Sequence, residues 1–347
     1  EIMFEGVGER PVLSINRGFS APVIVETNRT AADLAFLSAR DDDPIARYEA
    51  MQQLMLDTLV RAVMDGQADH KPVIDAVKHT LRDPALDPAF VAEAVLLPSE
   101  AFIGDHLETV DPDAIARARG ARRAAIGSTL ESDWRDAYAT ALANRYEYSP
   151  PAKGLRRLRN VALGYIAAAD APDAAEIAFR QFSEADNMTD RQGALGTLAN
   201  GDAPEREQAL AAFYERFHDN ALVLDKWFTT QALSARADTV DAVEALSRHP
   251  DFTLANPNRV RSLVGAFAAN QRWFHEASGR GYRFLTDIVL ALDRLNPQTA
   301  ARMIPPLGRW RRFNAARQAL MQAELRRIVE TPGLSKEMFE QASKSLN

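Results

Sequence analysis

Cysteine is absent from the 347 residues. That excludes a disulfide framework and any thiolate metal site, and it suits a reducing cytoplasm. Histidine is scarce. The six are His70, His79, His106, His218, His249 and His275, and no two stand four apart. A helical His-Glu-x-x-His zinc motif needs that spacing, because both imidazoles must leave one face of the helix. His275-Glu276 begins such a motif, but Gly279 occupies the place of the second histidine. No run approaches 18 uninterrupted apolar residues, so a membrane span is not expected. Glu1-Ile2-Met3-Phe4-Glu5-Gly6 has neither a basic n-region nor an apolar h-region, so no secretory leader is expected. The strand-like opening without a start methionine suits a chain cut from something longer.

A basic excess is also lacking, since the formal net charge is −7 at pH 7. Neutralising phosphates needs basic patches, so nucleic acid is not an expected partner. The densest basic cluster is Arg309, Arg311, Arg312 and Arg317 beside Trp310 and Phe313. It reads as a solvated helix face with its aromatics turned to the core.

What is present is the composition of a folded protein. Hydrophobic residues make up 46% and charged residues 26%, which argues against disorder. The length allows one large or two ordinary domains. Residues 1–27 differ from the rest. Pro11-Val12-Leu13, Phe19-Ser20-Ala21-Pro22 and Val23-Ile24-Val25 predict two or three short strands. So few strands need something to pack on. From about residue 30 the apolar period is helical, as in Tyr48, Met51, Met55, Leu59 and Val63. Asp43-Pro44, Asp83-Pro84, Asp87-Pro88, Asp111-Pro112, Asn256-Pro257 and Asn296-Pro297 read as N-cap followed by the first helical residue. The pattern predicts roughly fifteen helices and a helix content above about 60%. The two Asn-Pro starts are forty residues apart, near the period of paired-helix repeats.

Those two starts carry the candidate site. One runs Asn256-Pro257-Asn258-Arg259-Val260-Arg261-Ser262-Leu263-Val264-Gly265-Ala266-Phe267, the other Leu295-Asn296-Pro297-Gln298-Thr299-Ala300-Ala301-Arg302. Each puts arginine in the first turns, where the helix dipole disfavours a cation by about 0.3–1 kcal/mol. Gln298 and Arg302 are four apart and share a face. Arg259 and Arg261 are two apart, about 200° around a helix, so one of them faces any ligand. Helix mouths bearing Arg259, Arg261, Gln298 and Arg302 suit a carboxylate or peptide carbonyls. The alternative is solvated surface arginines plus one buried ion pair. Asp186-Asn187-Met188-Thr189-Asp190 lacks the twelve-residue spacing of a calcium loop, and Asn187 or Thr189 reads as an N-cap. In Asp225-Lys226-Trp227-Phe228 the aromatics read as core anchors, and His218 and His275 as structural.

The same two segments resemble the C-terminal helical domain of the PepN-type zinc aminopeptidases. So do Phe182-Ser183-Glu184-Ala185-Asp186-Asn187-Met188-Thr189-Asp190, Asp225-Lys226-Trp227-Phe228 and Gly279-Arg280-Gly281-Tyr282-Arg283-Phe284-Leu285. Arg17-Gly18-Phe19-Ser20-Ala21-Pro22-Val23 is similar to the end of that family's small β-domain. The resemblance runs from about residue 10 to the end and is most specific at 182–190 and 256–267. It implies an all-α fold, an α-superhelix of HEAT- or armadillo-like repeats over 28–347, preceded by remnant strands of the β-domain at 1–27.

It also implies a role without catalytic residues. The family's His-Glu-x-x-His, its distant zinc-binding Glu and its Gly-Ala-Met-Glu-Asn motif are absent here. The resemblance therefore implies no cofactor in this chain, with zinc in the parent enzyme. The implied task is to close the active-site chamber of a cytoplasmic aminopeptidase. Arg261, Gln298 and Arg302, together with Arg259, would line its prime side. The implied partners are the catalytic and N-terminal domains of the same polypeptide and a peptide substrate, with neither nucleic acid nor membrane. An independent helical-repeat scaffold binding a protein or peptide on a concave face is the alternative. A self-contained hydrolase is a third reading, disfavoured by the missing motif.

The purified chain is expected to bind no stoichiometric zinc and to leave alanyl and leucyl amides intact. Metal analysis with a chromogenic assay checks this. One tight zinc per chain with zinc-dependent turnover would contradict it.

Overall fold

The computed structural model describes residues 6, 8–67, 69–142 and 145–347. Helix accounts for 68% of the structure, in agreement with the content above about 60% expected from the period. Twenty-one α-helical segments are present among the described residues, fifteen of them seven residues or longer. The excess over the expected fifteen comes from short pieces, such as Pro257–Val260, Gln271–Phe274, Pro297–Ala301 and Pro305–Gly308.

The caps follow the sequence closely. Asp43, Asp87, Asn187, Asn256 and Asn296 each accept from a backbone N–H of their own first turn. Asp111 accepts from Asp113 N and Ala114 N, both at 3.0 Å. Asp83-Pro84 is different. Asp83 closes the helix Lys71–Arg82, and its carboxylate accepts from Ala85 N at 3.0 Å to form a turn.

The expected N-terminal strands are not there. Among the described residues no strand occurs, and the one isolated bridge joins Val110 to Phe313. A strand needs a neighbouring backbone to take its N–H and C=O groups, and residues 8–30 find none. Side chains hold this segment instead. Arg17 donates to Asp41 at 3.0 Å, Gly18 N to Asp43 at 2.9 Å, and Arg29 to Leu13 O at 2.8 Å. The apolar residues stay outside, with Leu13 65% and Ile24 95% exposed. The strand-like reading of Glu1–Glu5 lies outside the described residues.

The chain forms two compact units, Glu1–Ser99 with Ala118–Ala174, and Glu100–Arg117 with Ala175–Asn347. In the first, the helices Glu131–Thr140 and Pro150–Ala168 pack through Trp134 and Tyr165, whose rings stack at 4.2 Å. Both rings are buried, and both polar atoms are satisfied. Trp134 Nε1 donates to Ile126 O at 3.3 Å and Tyr165 Oη to Val95 O at 2.6 Å. A glycine permits this approach. A Cβ on Gly127 would lie 2.5 Å from Tyr165 O.

In the second unit, polar groups find partners roughly one repeat away. Ser234 Oγ donates to Ala199 O, 35 residues earlier, and Trp273 Nε1 to Ala235 O, 38 earlier. Ser335 N donates to Asp293, 42 residues earlier. Stacked helix pairs produce this spacing, because each pair contacts the next at equivalent positions.

Two substitutions in the helix Pro112–Thr129 test the close approach. Gly127→Ala is expected to destabilise the chain by about 1–3 kcal/mol, since it drives a methyl into backbone. Gly120 has nothing within 4 Å of a new Cβ. Gly120→Ala is expected to stabilise by about 0.4–1 kcal/mol through the unfolded state. Thermal melts of both variants check the opposite signs.

Candidate functional site

All four candidate residues lie in the second unit. Asn256 caps the first segment, accepting from Asn258 N at 3.0 Å and Arg259 N at 3.4 Å, with Pro257 in the first helical position. The helix begins as α over Pro257–Val260, widens to a π turn over Arg261–Gly265 and returns to α over Ala266–Ala269. Such turns insert one residue into the ladder and re-aim the side chains around it.

The cause lies in the neighbouring helix, Ala221–Ala232. Thr229 Oγ1 donates to Ser262 O at 3.0 Å, inside the π turn. Ser262 Oγ lies 3.4 Å from Asp225 Oδ1. Arg259 Nε donates to the same oxygen at 2.6 Å. Arg259 Nη1 also donates to Asp251 O, and its guanidinium lies 4.9 Å from the Phe228 ring centre. The pair is nearly dry, with side-chain exposures of 6% for Arg259 and 15% for Asp225. Arg259 therefore forms the one buried ion pair of the alternative reading, and its charge is spent inside the helix layer.

Arg261 points the other way, as the 200° argument requires. It is exposed, and Nη1 donates to Asn258 Oδ1 at 3.2 Å. In the second segment Asn296 accepts from Thr299 N at 3.0 Å. The helix Pro297–Ala301 is only five residues long. Arg302 is consequently its C-cap and not a first-turn residue of a longer helix. A cation at that end is favoured by the dipole, which reverses the sign expected from sequence. Arg302 N donates to Gln298 O at 3.2 Å, so the two stay one turn apart on a shared face. Both side chains are exposed, and neither has an ion pair or side-chain hydrogen bond among the described residues. The structure thus brings Gln298 and Arg302 together and gives no bond between them and Arg261.

Sequence reasoning missed the π turn and the identity of the partner of Arg259. Asp225 stood in a string read for its aromatics, and that reading holds. Trp227 Nε1 donates to Leu210 O at 2.9 Å, and Phe228 is fully buried. No cluster of three His, Asp or Glu able to hold a metal occurs among the described residues. The residues present do not fit a zinc site, and no step through a metal follows from them. No helix among the described residues is long and apolar enough to cross a membrane.

The family described as "Domain of unknown function (DUF3458_C) ARM repeats" matches residues 31–347. The chain belongs to the DUF3458_C family. Relatives extend the match over nearly the whole length. Aminopeptidase N of Caulobacter vibrioides is 39% identical over 99% of this chain and 40% of its own length. Aminopeptidase N of Escherichia coli is 35% identical over the same shares. The crystal structure of Legionella pneumophila aminopeptidase A in complex with aspartic acid superposes with a TM-score of 0.89. It is 29% identical and covers 99% of this chain and 41% of that one. The chain therefore spans about two fifths of the length of these relatives, and it matches their C-terminal portion. The paired-helix spacing of the second unit agrees with the ARM-repeat description of DUF3458_C.

Breaking the buried pair tests what holds this DUF3458_C site in shape. Asp225→Ala is expected to cost about 3–5 kcal/mol, because it strands a buried guanidinium. Replacing both partners, Arg259→Met with Asp225→Leu, is expected to cost much less. Denaturant unfolding of the single and double variants checks this, and a loss below about 1 kcal/mol in Asp225→Ala would mark the pair as solvated.

Proposed function

We propose that this chain is the C-terminal helical domain of a zinc-dependent aminopeptidase, where it closes the chamber that admits peptides. The end-to-end match to aminopeptidase N relatives carries this reading. Zinc chemistry, the attack on the first peptide bond and the other domains belong to the longer polypeptide. Residues 28–347 are the helical domain. Residues 1–27 are the end of a small β-domain whose strands lie elsewhere in that polypeptide, a reading supported by the exposed Leu13 and Ile24.

Within the chamber, Arg261, Gln298 and Arg302 hold the downstream part of the peptide. Arg302 supplies a permanent charge with a planar fork that matches a carboxylate. Gln298, one turn away, offers a donor and an acceptor for a peptide amide. The exposure of all three, and the lack of side-chain partners at Gln298 and Arg302 among the described residues, support this role. Arg259 does not touch the peptide. It fixes the π turn from which Arg261 projects.

In the longer enzyme, Arg302→Ala is expected to lower kcat/KM for a tripeptide about 10- to 100-fold, the worth of one charge-assisted hydrogen bond. An amino-acid anilide, which has no downstream carboxylate, should lose far less. Stability should change by under about 1 kcal/mol, since only a helix-end interaction is removed. Kinetics on both substrates with a melting curve check this. Equal losses on the two substrates would remove Arg302 from the chamber. An upstream reading frame without a zinc motif would favour the scaffold reading.

A further inference from the structure

A pocket of about 270 Å³ in the second unit has no part in the reading above, and its lining includes none of Arg261, Gln298 and Arg302. Gln271, His275, Arg309 and Arg312 reach it from different segments, and Ala101, Pro305 and Phe313 give it apolar walls.

His275 is the informative group. It is 4% exposed, and its ring stacks on Phe313 at 4.2 Å. Arg317 Nε donates to its carbonyl at 2.7 Å, which fixes the residue in place. Nδ1 lies 2.9 Å from Tyr282 Oη. Burial raises the pKa of that hydroxyl, so Tyr282 keeps its proton, and it has no other acceptor among the described residues. Tyr282 therefore donates to Nδ1, and the imidazole carries its own proton on Nε2. Burial, then Arg317 and Arg309, push the ring pKa down to about 3, so the imidazole is neutral. Nε2–H is left without a protein acceptor among the described residues, on a ring that lines the pocket. That donor opens into the pocket, where a ligand can accept from it.

Two guanidinium groups flank it. Arg312 uses Nη2 on Gly104 O at 2.9 Å and Leu107 O at 2.7 Å, and its Nε and Nη1 have no partner among the described residues. Arg309 is held by Asp105 through Nη2. With the charge of Arg309 offset by Asp105, Arg312 is left as the unpaired cation, and together with a neutral donor above apolar walls it selects one negative charge on a small apolar body. A free amino acid fits poorly, because its ammonium would lie against the guanidinium groups.

The geometry points to this pocket as a binding site for a small monocarboxylate with an apolar body and no adjacent ammonium, its carboxylate held by His275 Nε2 and Arg312. A short branched-chain acid and the C-terminal residue of a peptide share this chemistry. Calorimetric titration of the full-length polypeptide with isovalerate, N-acetyl-leucine and leucine tests it. The first two should bind one to one, with leucine about tenfold weaker or more. Tighter isovalerate supports a free acid as the source, and tighter N-acetyl-leucine a peptide end. Arg312→Gln and Ala101→Leu should each weaken binding about 10- to 100-fold, with melting curves as the folding control. Ala101→Leu removes only space and decides the matter if Arg312→Gln does not fold. Unchanged affinity in Ala101→Leu, equal binding of leucine, or no binding by either acid would overturn the proposal.

Discussion

The second unit is organised at its candidate site by one buried charge pair. Arg259 cannot lie 5% exposed in a helix layer without a counter-charge, and Asp225, 34 residues earlier, supplies it. The pair locks the segment after Asn256 to the helix Ala221–Ala232. Thr229 and Ser262 reinforce the lock on either side of the pair. The ladder between them slips into a π turn, and Arg261 emerges on the face away from Asp225. The proposed ligand-facing residue thus owes its direction to a residue that touches no ligand.

The same logic repeats elsewhere at the repeat distance. A helix in a stacked array meets its neighbours one helix pair away, so its polar side chains find acceptors there. Ser234, Trp273 and Ser335 all do this. Where no neighbouring strand exists, side chains take over. Residues 8–30 have strand composition and no strand partner, so ion pairs and caps hold them and their apolar side chains remain in water.

Much of this was legible in the sequence. Asn256-Pro257 and Asn296-Pro297 announced helix starts, because a cap and a first-position proline act within one turn. Apolar periodicity gave the helical class, and the missing histidine pair removed the zinc motif from these residues. Local chemistry decided these features, so local sequence reported them. The length of a helix was less legible. Arg302 was read as a first-turn cation, yet the helix stops at Ala301 and Arg302 caps it. The signal for that stop is Pro305-Pro306, three residues on, since a proline there cannot extend the ladder and clashes with the carbonyl of Ala301.

The sequence by itself determined the caps, the period and the residue types available at each helix mouth. Tertiary structure decided which arginine is buried, which is exposed, and where the π turn falls. The physical reason is range. A cap or a periodic stripe is a contest among residues within a turn or two. The choice between Arg259 and Arg261 depended on Asp225, and the choice of tautomer at His275 depended on the Tyr282 hydroxyl. Only folding brings those partners within hydrogen-bonding distance.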